Sequence, residues 1–466
     1  MVISSREPIA PRRRDLGCVL VFALLVRAGV LLFSPDALRA DPDGYRALAE
    51  NLVEHGTLGS QDHPTAYRPP LYPCLLAACV ALGPASRAAI GLMHLALGLG
   101  TVWLTFRLGQ RFGLGRWAWL AAVFVACDPI LLTQSTQVMT ETPATFLAVA
   151  ALGCLTATAE RRTAGSALAA GLMAGLCALC RPTFLPWAAT VPFVLLVAGP
   201  KQKSPPRSGL RLWAGSDAAS SPGNEEFESQ GCAPWRLAVV FVAALAATLC
   251  PWAIRNQVQF GRPILATTHG GYTLLLANNP FFYEYLRSAP WGAVWENKQL
   301  DRAWLAKVPH GQTDEPDADR LAYVEALKNI RNEPATFCYA CLVRLGRLFG
   351  VMPHQLTPDE GTLRRWLRYG VALWYGVELA MAVLGIGVVC VLARRRGNRL
   401  LGWIYVLLLV ACFAAVHSLY WTDMRMRAPL VPAIALAAGV GVCWLVDRTW
   451  RRNIFSHKDF ESPQTY

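Results

Sequence analysis

Acidic and arginine residues stand together in short polar stretches of a sequence that is otherwise largely apolar. Asp41 and Asp43 occur in ADPDGYR, Glu141 occurs in QVMTETP, and Arg425 and Arg427 occur in WTDMRMRAP. A carboxylate can accept the proton of an attacking hydroxyl group, and the planar guanidinium of arginine binds phosphate through paired hydrogen bonds. These residue types predict a general base beside a site that recognises an anion.

Each of these residues also has a purely structural interpretation. Asp41 and Asp43 suit the N-terminus of a helix at 45–53, and Glu141 suits the cap of a helix that starts at Thr142. Arg425 and Arg427 suit the membrane surface, where long cationic side chains reach the head groups. Asp41 and Asp43 also form a DxD motif, as in metal-dependent nucleotide-sugar transferases, but the sequence has no βαβ pattern to support such a domain.

The composition indicates which elements must position these side chains. Of the 466 residues, 54% are hydrophobic and only 16% are charged, whereas a soluble chain carries about 25% charged residues. We therefore predict an all-α polytopic membrane protein with about ten transmembrane helices. This class excludes a cytosolic enzyme, a secreted disulfide scaffold and a disordered chain. The predicted spans are residues 16–33, 86–106, 117–133, 142–159, 164–180, 183–199, 237–254, 370–393, 400–417 and 428–447.

The basic residues predict how the helices are oriented. If the short apolar run at 71–83 is a juxtamembrane helix, the predicted cytoplasmic segments hold 22 Lys and Arg residues and the short outer segments hold 7. The positive-inside rule favours this arrangement over one in which the run crosses. It places both termini in the cytoplasm and the polar stretches on the outer, periplasmic side of a cell inner membrane. Basic residues in the loops between membrane helices account for the net charge of +13, so we predict no nucleic-acid partner.

The same topology divides the chain into six parts. They are an N-terminal membrane bundle at 1–199 with its first outer loop at 34–85, a disordered cytoplasmic linker at 200–235, a transmembrane helix at 236–255, a small mixed outer subdomain at 256–369, C-terminal transmembrane helices at 370–447, and a cytoplasmic tail at 448–466.

The outer subdomain is predicted to contain both strand and helix. Residues 264–277 predict a short extended hairpin around a glycine turn, and residues 318–333 predict a helix that ends before Pro334. Residues 335–349 predict an amphipathic helix on the membrane surface, with Arg344 and Arg347 facing the head groups.

Five segments, in this order and topology, resemble the GT-C superfamily of membrane glycosyltransferases. The resemblance is to the bacterial branch similar to protein O-mannosyltransferases and aminoarabinose transferases, the glycosyltransferase family 39-like proteins. The segments are DPDGYRALAENL at 41–52, YRPPLYP at 67–73, TETPATFL at 140–147, PWAIRNQVQFGRPILATTHGGYTLLLANNP at 251–280, and MRMRAPLVPAIALAAG at 424–439.

The resemblance implies a sugar donor linked to polyprenyl phosphate, an acceptor hydroxyl on a protein, lipid or glycan at the outer side, and inversion at the sugar. It implies Asp41 or Asp43 as the general base, with Asp41 at the more usual spacing, and Glu141 as a second acid. No cofactor is certain; divalent metal stays open, although no cluster has metal-ligand spacing. The implied residues for donor phosphate or substrate are Arg68, Tyr45, Arg255, Asn256, His269, Arg425 and Arg427.

Two other functions fit a multi-span chain with buried charges. One is a transporter of lipid-linked sugar or solute, and the other is a non-catalytic relative that binds a lipid-linked sugar. A transporter predicts charges near the middle of the membrane and similar halves. Here the charges lie at one edge of the predicted bundle, and no internal repeat is visible.

Overall fold

The fold comes from a computed structural model, which describes residues 13–34, 36–197, 231–290, 293–308, 314–354, 360–396 and 401–446. The predicted cytoplasmic linker lies outside these residues as far as position 230, and the predicted tail at 448–466 lies outside them altogether.

The described chain is mainly helical, which confirms the predicted all-α class. The strands among the described residues are β1 (Gly59–Ser60) and β2 (His63–Pro64), which pair antiparallel. The helices are α1 (Arg13–Phe33), α2 (Tyr45–His55), α3 (Leu71–Val80), α4 (Ser86–Arg111), α5 (Ala118–Cys127), α6 (Pro129–Ser135), α7 (Glu141–Arg161), α8 (Ala164–Cys180), α9 (Leu185–Val197), α10 (Pro234–Phe260), α11 (Gly270–Ala277), α12 (Pro280–Ser288), α13 (Lys298–Lys307), α14 (Glu315–Asn332), α15 (Pro334–Leu348), α16 (Thr362–Arg396), α17 (Leu401–Leu419) and α18 (Val431–Val446).

Seven of the described helices are long and apolar enough to cross a membrane, which confirms a polytopic membrane protein. They are α1, α4, α7, α10, α16, α17, and α18 together with the 3-10 helix Met424–Leu430 that precedes it. Helices α5 and α6 form an eighth candidate span that bends by 49°. The bend falls at Asp128, because its Oδ1 accepts a hydrogen bond from the amide of Leu131 at 2.8 Å and starts a new helix there.

Two predicted spans coincide with shorter helices. Helix α8 has 17 residues and α9 has 13, whereas a span needs about 20. A total of ten spans therefore stays a prediction. Helix α3 has 10 residues and is the short helix expected at 71–83.

Glycines allow the membrane helices to pack closely. A Cβ atom on Gly385 of α16 would collide with the backbone oxygen of Ala437 in α18, and one on Gly441 would collide with that of Met381. Burial of apolar surface drives little association inside a bilayer, so close backbone contact supplies much of it through van der Waals packing. Gly171 lets α8 approach α10 in the same way.

The predicted hairpin at 264–277 is wrong, because α11 occupies the second half of that segment. A Cβ atom on Gly270 would collide with the Tyr323 ring hydroxyl, and one on Gly271 would collide with the backbone oxygen of Asp319. The two glycines thus serve the close packing of α11 on α14, and neither adopts a positive φ.

The other described elements of the outer subdomain are also helices, α12 to α15, so its predicted mixed character is wrong as well. Helices α14 and α15 confirm the helical predictions for residues 318–333 and 335–349.

Arg344 does not face the head groups as predicted. It is fully buried and donates hydrogen bonds to the backbone oxygens of Ser418 at 2.6 Å and Ala277 at 2.7 Å. The C-terminal ends of α11 and α17 meet at this point, and the guanidinium supplies donors that their carbonyl groups require. Arg347 lies over the rings of Phe282 and Trp421, so α15 is fixed within the protein.

The first outer loop is held by the start of α14. Glu315 accepts hydrogen bonds from the hydroxyl of Thr65 at 2.6 Å and the amide of Ala66 at 2.8 Å, and it also accepts one from the hydroxyl of Thr268. The amide of Thr268 in turn donates to the carbonyl of Ala66 at 3.0 Å. These bonds join segments up to about 250 residues apart and fix the loop that carries the predicted acids.

Candidate functional site

Arg425 connects two carboxylates that are far apart in sequence. Its Nη1 lies 4.0 Å from Oδ2 of Asp43, and its Nε lies 3.9 Å from Oε1 of Glu141. The adjacent Asp423 also pairs with Nε, at 3.1 Å. Two further arginines join this group, which we call the acid–guanidinium cluster: Asp43, Glu141, Asp423, Arg68, Arg181 and Arg425.

Local structure places the three acids of the cluster. Gly44 has a φ of 72°, a left-handed conformation that glycine adopts without strain, and it turns the chain between Asp43 and α2. Glu141 is the first residue of α7, where the N-terminal end of the helix dipole favours a negative charge. Asp423 caps the 3-10 helix by accepting a hydrogen bond from the amide of Arg425 at 3.0 Å.

Glu141 is a buried carboxylate between two guanidiniums. Its side chain is 1% exposed, and Oε1 lies 3.5 Å from Nη2 of Arg181. Among the described residues, neither carboxylate oxygen of Glu141 has a hydrogen-bond partner, and Nη1 of Arg181 has none either. Buried polar atoms are nearly always hydrogen-bonded, so these atoms mark a place where a further polar group can bind.

Arg68 pairs with the opposite side of Asp43. Its Nη2 donates to Oδ1 of Asp43 at 3.1 Å, and its Nε donates to the Asp43 backbone oxygen at 3.1 Å. The guanidinium lies 5.5 Å from the ring centroid of Tyr45 and 5.4 Å from that of Tyr67. Burial raises the pKa of Tyr45 above its usual range, so its ring stays neutral beside the cation.

Asp41 combines a structural role with a free acceptor. Its Oδ2 accepts hydrogen bonds from the amides of Arg46 at 2.9 Å and Ala47 at 3.1 Å, which satisfies two otherwise unpaired amides at the start of α2. Its Oδ1 is buried and has no hydrogen-bond partner among the described residues. One oxygen therefore fixes the carboxylate, while the other can accept a proton.

His269 packs against Tyr67, whose ring lies beside Arg68 of the acid–guanidinium cluster. The two ring centroids are 4.1 Å apart, and Nδ1 of His269 is buried without a described hydrogen-bond partner. Burial, reinforced by the nearby Arg68, lowers the pKa of His269 to about 3. Burial also raises the pKa of Tyr67 to about 12, so both side chains are neutral at physiological pH.

Arg255 and Asn256 lie outside the acid–guanidinium cluster and support the first outer loop. Arg255 donates hydrogen bonds to the backbone oxygens of Thr65 at 2.9 Å and Leu58 at 3.0 Å. Asn256 accepts one from Arg255 at 2.9 Å and donates one to the backbone oxygen of Ile264 at 2.9 Å. In this structure both side chains are engaged with the protein itself.

Arg427 also lies apart from the cluster. It is 1% exposed, donates to the backbone oxygens of Leu348 at 3.2 Å and Gly350 at 2.9 Å, and lies 4.2 Å from the ring centroid of Tyr375. A 3-10 helix turns about 120° per residue, so Arg425 and Arg427 point to different sides of the segment.

Each carboxylate of the cluster is paired with a guanidinium. Among the described residues, no group of three or more His, Cys, Asp or Glu side chains is placed to hold a metal ion. Asp43 and Glu141 both face Arg425, whose positive charge already lies between them. Guanidinium groups can bind phosphate through paired hydrogen bonds, and the carboxylates of the cluster hold three of them close together.

A family comparison bears on the N-terminal part of the site. Residues 63–209 match the model of a family described as dolichyl-phosphate-mannose-protein mannosyltransferase. The predicted resemblance to the GT-C superfamily is confirmed. The matched segment includes three members of the acid–guanidinium cluster, namely Arg68, Glu141 and Arg181. No curated protein sequence matches the chain.

Several solved GT-C structures are similar to the chain. The Archaeoglobus fulgidus oligosaccharyltransferase tethered with an acceptor peptide is 16% identical, has a TM-score of 0.49, and matches over 94% of this chain and 50% of its own length. ArnT from Cupriavidus metallidurans bound to undecaprenyl phosphate is 14% identical, has a TM-score of 0.41, and matches over 92% of this chain and 78% of its own. The chain thus spans about half the length of the oligosaccharyltransferase.

Two members of the acid–guanidinium cluster were not among the predicted site residues. Arg181 ends α8 and Asp423 precedes Arg425 by two residues. Both stand in predicted outer segments of the sequence. Their position at the outer ends of predicted spans is therefore the sequence feature that could have identified them as site residues.

Proposed function

We propose that this protein is an inverting glycosyltransferase that moves a sugar from a polyprenyl-phosphate donor to an acceptor hydroxyl at the outer side of the membrane. The observation that supports this function most directly is the position of Arg425 within 4.0 Å of both Asp43 and Glu141. Side chains from the first outer loop, the start of α7 and the segment before α18 thereby form one site at one end of the helices.

In this proposal the guanidiniums of Arg68, Arg181 and Arg425 bind the donor phosphate. Breaking the bond between the anomeric carbon and the phosphate oxygen adds one negative charge to the departing polyprenyl phosphate. Guanidiniums that are already in place stabilise that charge without further rearrangement. Asp43 and Glu141 keep the three arginines together, which would otherwise repel one another.

Asp41 is the proposed general base. Its Oδ2 is fixed by two amides, while Oδ1 has no described partner. The acceptor oxygen attacks the anomeric carbon from the face opposite the phosphate, its proton passes to Oδ1 of Asp41, and the bond to the phosphate breaks. This single displacement conserves charge and inverts the sugar configuration.

A membrane-embedded fold suits this substrate class. The polyprenyl tail keeps the donor phosphate at the membrane surface, so a catalyst made of membrane helices can meet it there. The family whose model matches residues 63–209 is named for a dolichyl-phosphate sugar, which supports a lipid-linked donor. The excess of Lys and Arg residues on the predicted cytoplasmic segments supports an outward-facing site in a cell inner membrane.

Two substitutions test the proposed roles in the purified full-length protein. With a panel of polyprenyl-phosphate sugars, Asp41→Asn is expected to lower kcat by about 100-fold to 10,000-fold, the usual contribution of a general base, with little change in the donor KM. Asp43→Asn is expected to raise the donor KM, because Arg68 and Arg425 lose their shared partner.

Asp36→Asn is a matched control in the same outer loop, because the Asp36 side chain is 85% exposed and, within the described part of the chain, forms an ion pair with Arg39 alone. It is expected to retain wild-type transfer. Wild-type kcat and KM in both Asp41→Asn and Asp43→Asn would contradict the proposed chemistry. Movement of a lipid-linked sugar across vesicles without any transfer would favour a transporter.

A further inference from the structure

A second polar site lies at the other end of the helices. A cavity of about 580 Å³ is lined by residues of α4, α7 and the start of α8. Helix α7 begins at Glu141 in the acid–guanidinium cluster and ends at Arg161 in this cavity, a length of 21 residues. At 1.5 Å per residue the two sites are about 30 Å apart, which is the thickness of the hydrocarbon core of a bilayer.

Three exposed arginines line this cavity. Arg107 and Arg111 come from α4, and Arg161 comes from the end of α7. Arg111 donates a hydrogen bond to the backbone oxygen of Gly153 at 3.2 Å. Within the described part of the chain, no carboxylate lines the cavity and no ion pair engages any of the three arginines. The described lining of the cavity therefore carries three arginines and no carboxylate.

The lining of the cavity is charged near the helix end and apolar toward the middle of the span. Trp103, Arg107 and Arg111 are spaced four residues apart and so lie along one face of α4. Trp103 is 44% exposed and stands further from the helix end than the arginines, toward the middle of the span. Leu104 and Ala150 extend the apolar part of the lining.

We propose that this cavity binds an anionic phospholipid of the bilayer. The three guanidiniums bind its phosphodiester, and an acyl chain lies along Trp103 and Leu104. A soluble phosphate compound would use the arginines but would leave the apolar wall uncovered, whereas a phospholipid matches both parts in the observed order. Basic pockets between membrane helices bind anionic head groups in this way. A bound lipid would hold the ends of α4, α7 and α8 together.

Native mass spectrometry of the full-length protein in mild detergent tests this proposal. The protein is incubated with equal amounts of phosphatidylglycerol and phosphatidylcholine, and the retained lipid is identified. The wild type is expected to retain phosphatidylglycerol preferentially. Each arginine near the phosphate contributes about a fivefold preference, so the triple variant R107Q/R111Q/R161Q is expected to lose about a hundredfold.

Two variants separate a binding effect from a folding defect. R107K/R111K/R161K keeps the charges and is expected to keep most of the preference. Arg116→Gln removes an arginine at the same end of the bundle that does not line the cavity, and it is expected to behave as the wild type. Unfolding temperatures in detergent show whether the triple glutamine variant is folded.

The outcomes are distinct. Equal retention of both lipids by the wild type would overturn the proposal, as would an undiminished preference in a folded R107Q/R111Q/R161Q variant. Binding of inorganic phosphate that depends on the three arginines, without any lipid preference, would overturn the assignment of the ligand as a lipid. The test uses lipid retention alone, so its result is independent of the proposed glycosyl transfer.

Discussion

Replacing Glu141 by glutamine removes one charge from the acid–guanidinium cluster while keeping the size of the side chain. The carboxylate is 1% exposed and lies 3.5 Å from Arg181 and 3.9 Å from Arg425. At an effective dielectric constant of about 20, unit charges at such distances interact by about 4–5 kcal/mol. Breaking a buried ion pair has a net cost of about 3–5 kcal/mol, because desolvation offsets part of the attraction.

We therefore expect Glu141→Gln to lose about 3 kcal/mol of transition-state stabilisation, which corresponds to a fall of about a hundredfold in kcat/KM. Without the carboxylate, Arg181 and Arg425 repel each other and no longer converge on one phosphate. The measurement is sugar transfer from a polyprenyl-phosphate donor by the purified full-length protein.

Glu160→Gln is the control, because Glu160 is an exposed carboxylate near the other end of α7. It is expected to leave kcat/KM unchanged. The reasoning is refuted by a Glu141→Gln protein that has both the wild-type kcat/KM and the wild-type unfolding temperature, since the carboxylate would then position neither arginine.

Three further predictions concern packing, protonation and orientation. Gly385→Val is expected to lower the unfolding temperature by several degrees, because its side chain would meet the backbone of Ala437; an unchanged temperature would contradict the close approach of α16 and α18. The pKa of His269 is about 3 in the folded protein and about 6.5 in the unfolded chain. As the pH falls below about 6.5, the unfolded state therefore binds more protons than the folded state. The free energy of unfolding then decreases by up to about 1.4 kcal/mol per pH unit. His269→Gln should reduce the drop in unfolding temperature between pH 7 and pH 5; an identical drop would argue against a neutral His269. A membrane-impermeant thiol reagent is expected to label Gln61→Cys in intact cells and Gln110→Cys only after lysis, each against the unsubstituted protein, and the reverse pattern would invert the predicted topology.

The fold was predictable where composition alone decides it. Apolar runs located the membrane helices, and helical periodicity located α14 and α15. The pair Gly270 and Gly271 misled the prediction, because glycine permits both a tight turn and a close helix contact. Only the position of Asp319 and Tyr323 on a neighbouring helix decides between the two uses, and that position is not encoded locally.

The candidate site was predictable in its composition and less so in its geometry. Charge at the outer ends of predicted spans identified Asp43, Glu141 and Arg425, which the structure brings together. The resemblance suggested the same role for Arg427 and Arg255, which instead donate hydrogen bonds to backbone carbonyl groups and, for Arg255, also to the Asn256 side chain. The direction of a side chain depends on the local helix type and on its neighbours, neither of which the spacing of arginines reveals.

The order of the cluster along the chain has a consequence for biosynthesis. Asp43 follows α1, whereas Arg425 lies in the 3-10 helix that leads into α18. A nascent chain therefore exposes its acids long before the ribosome has made the arginine that joins them. In the proposed function, sugar transfer therefore requires that the chain has been inserted as far as Arg425, and a product that ends before this residue is expected to be inactive.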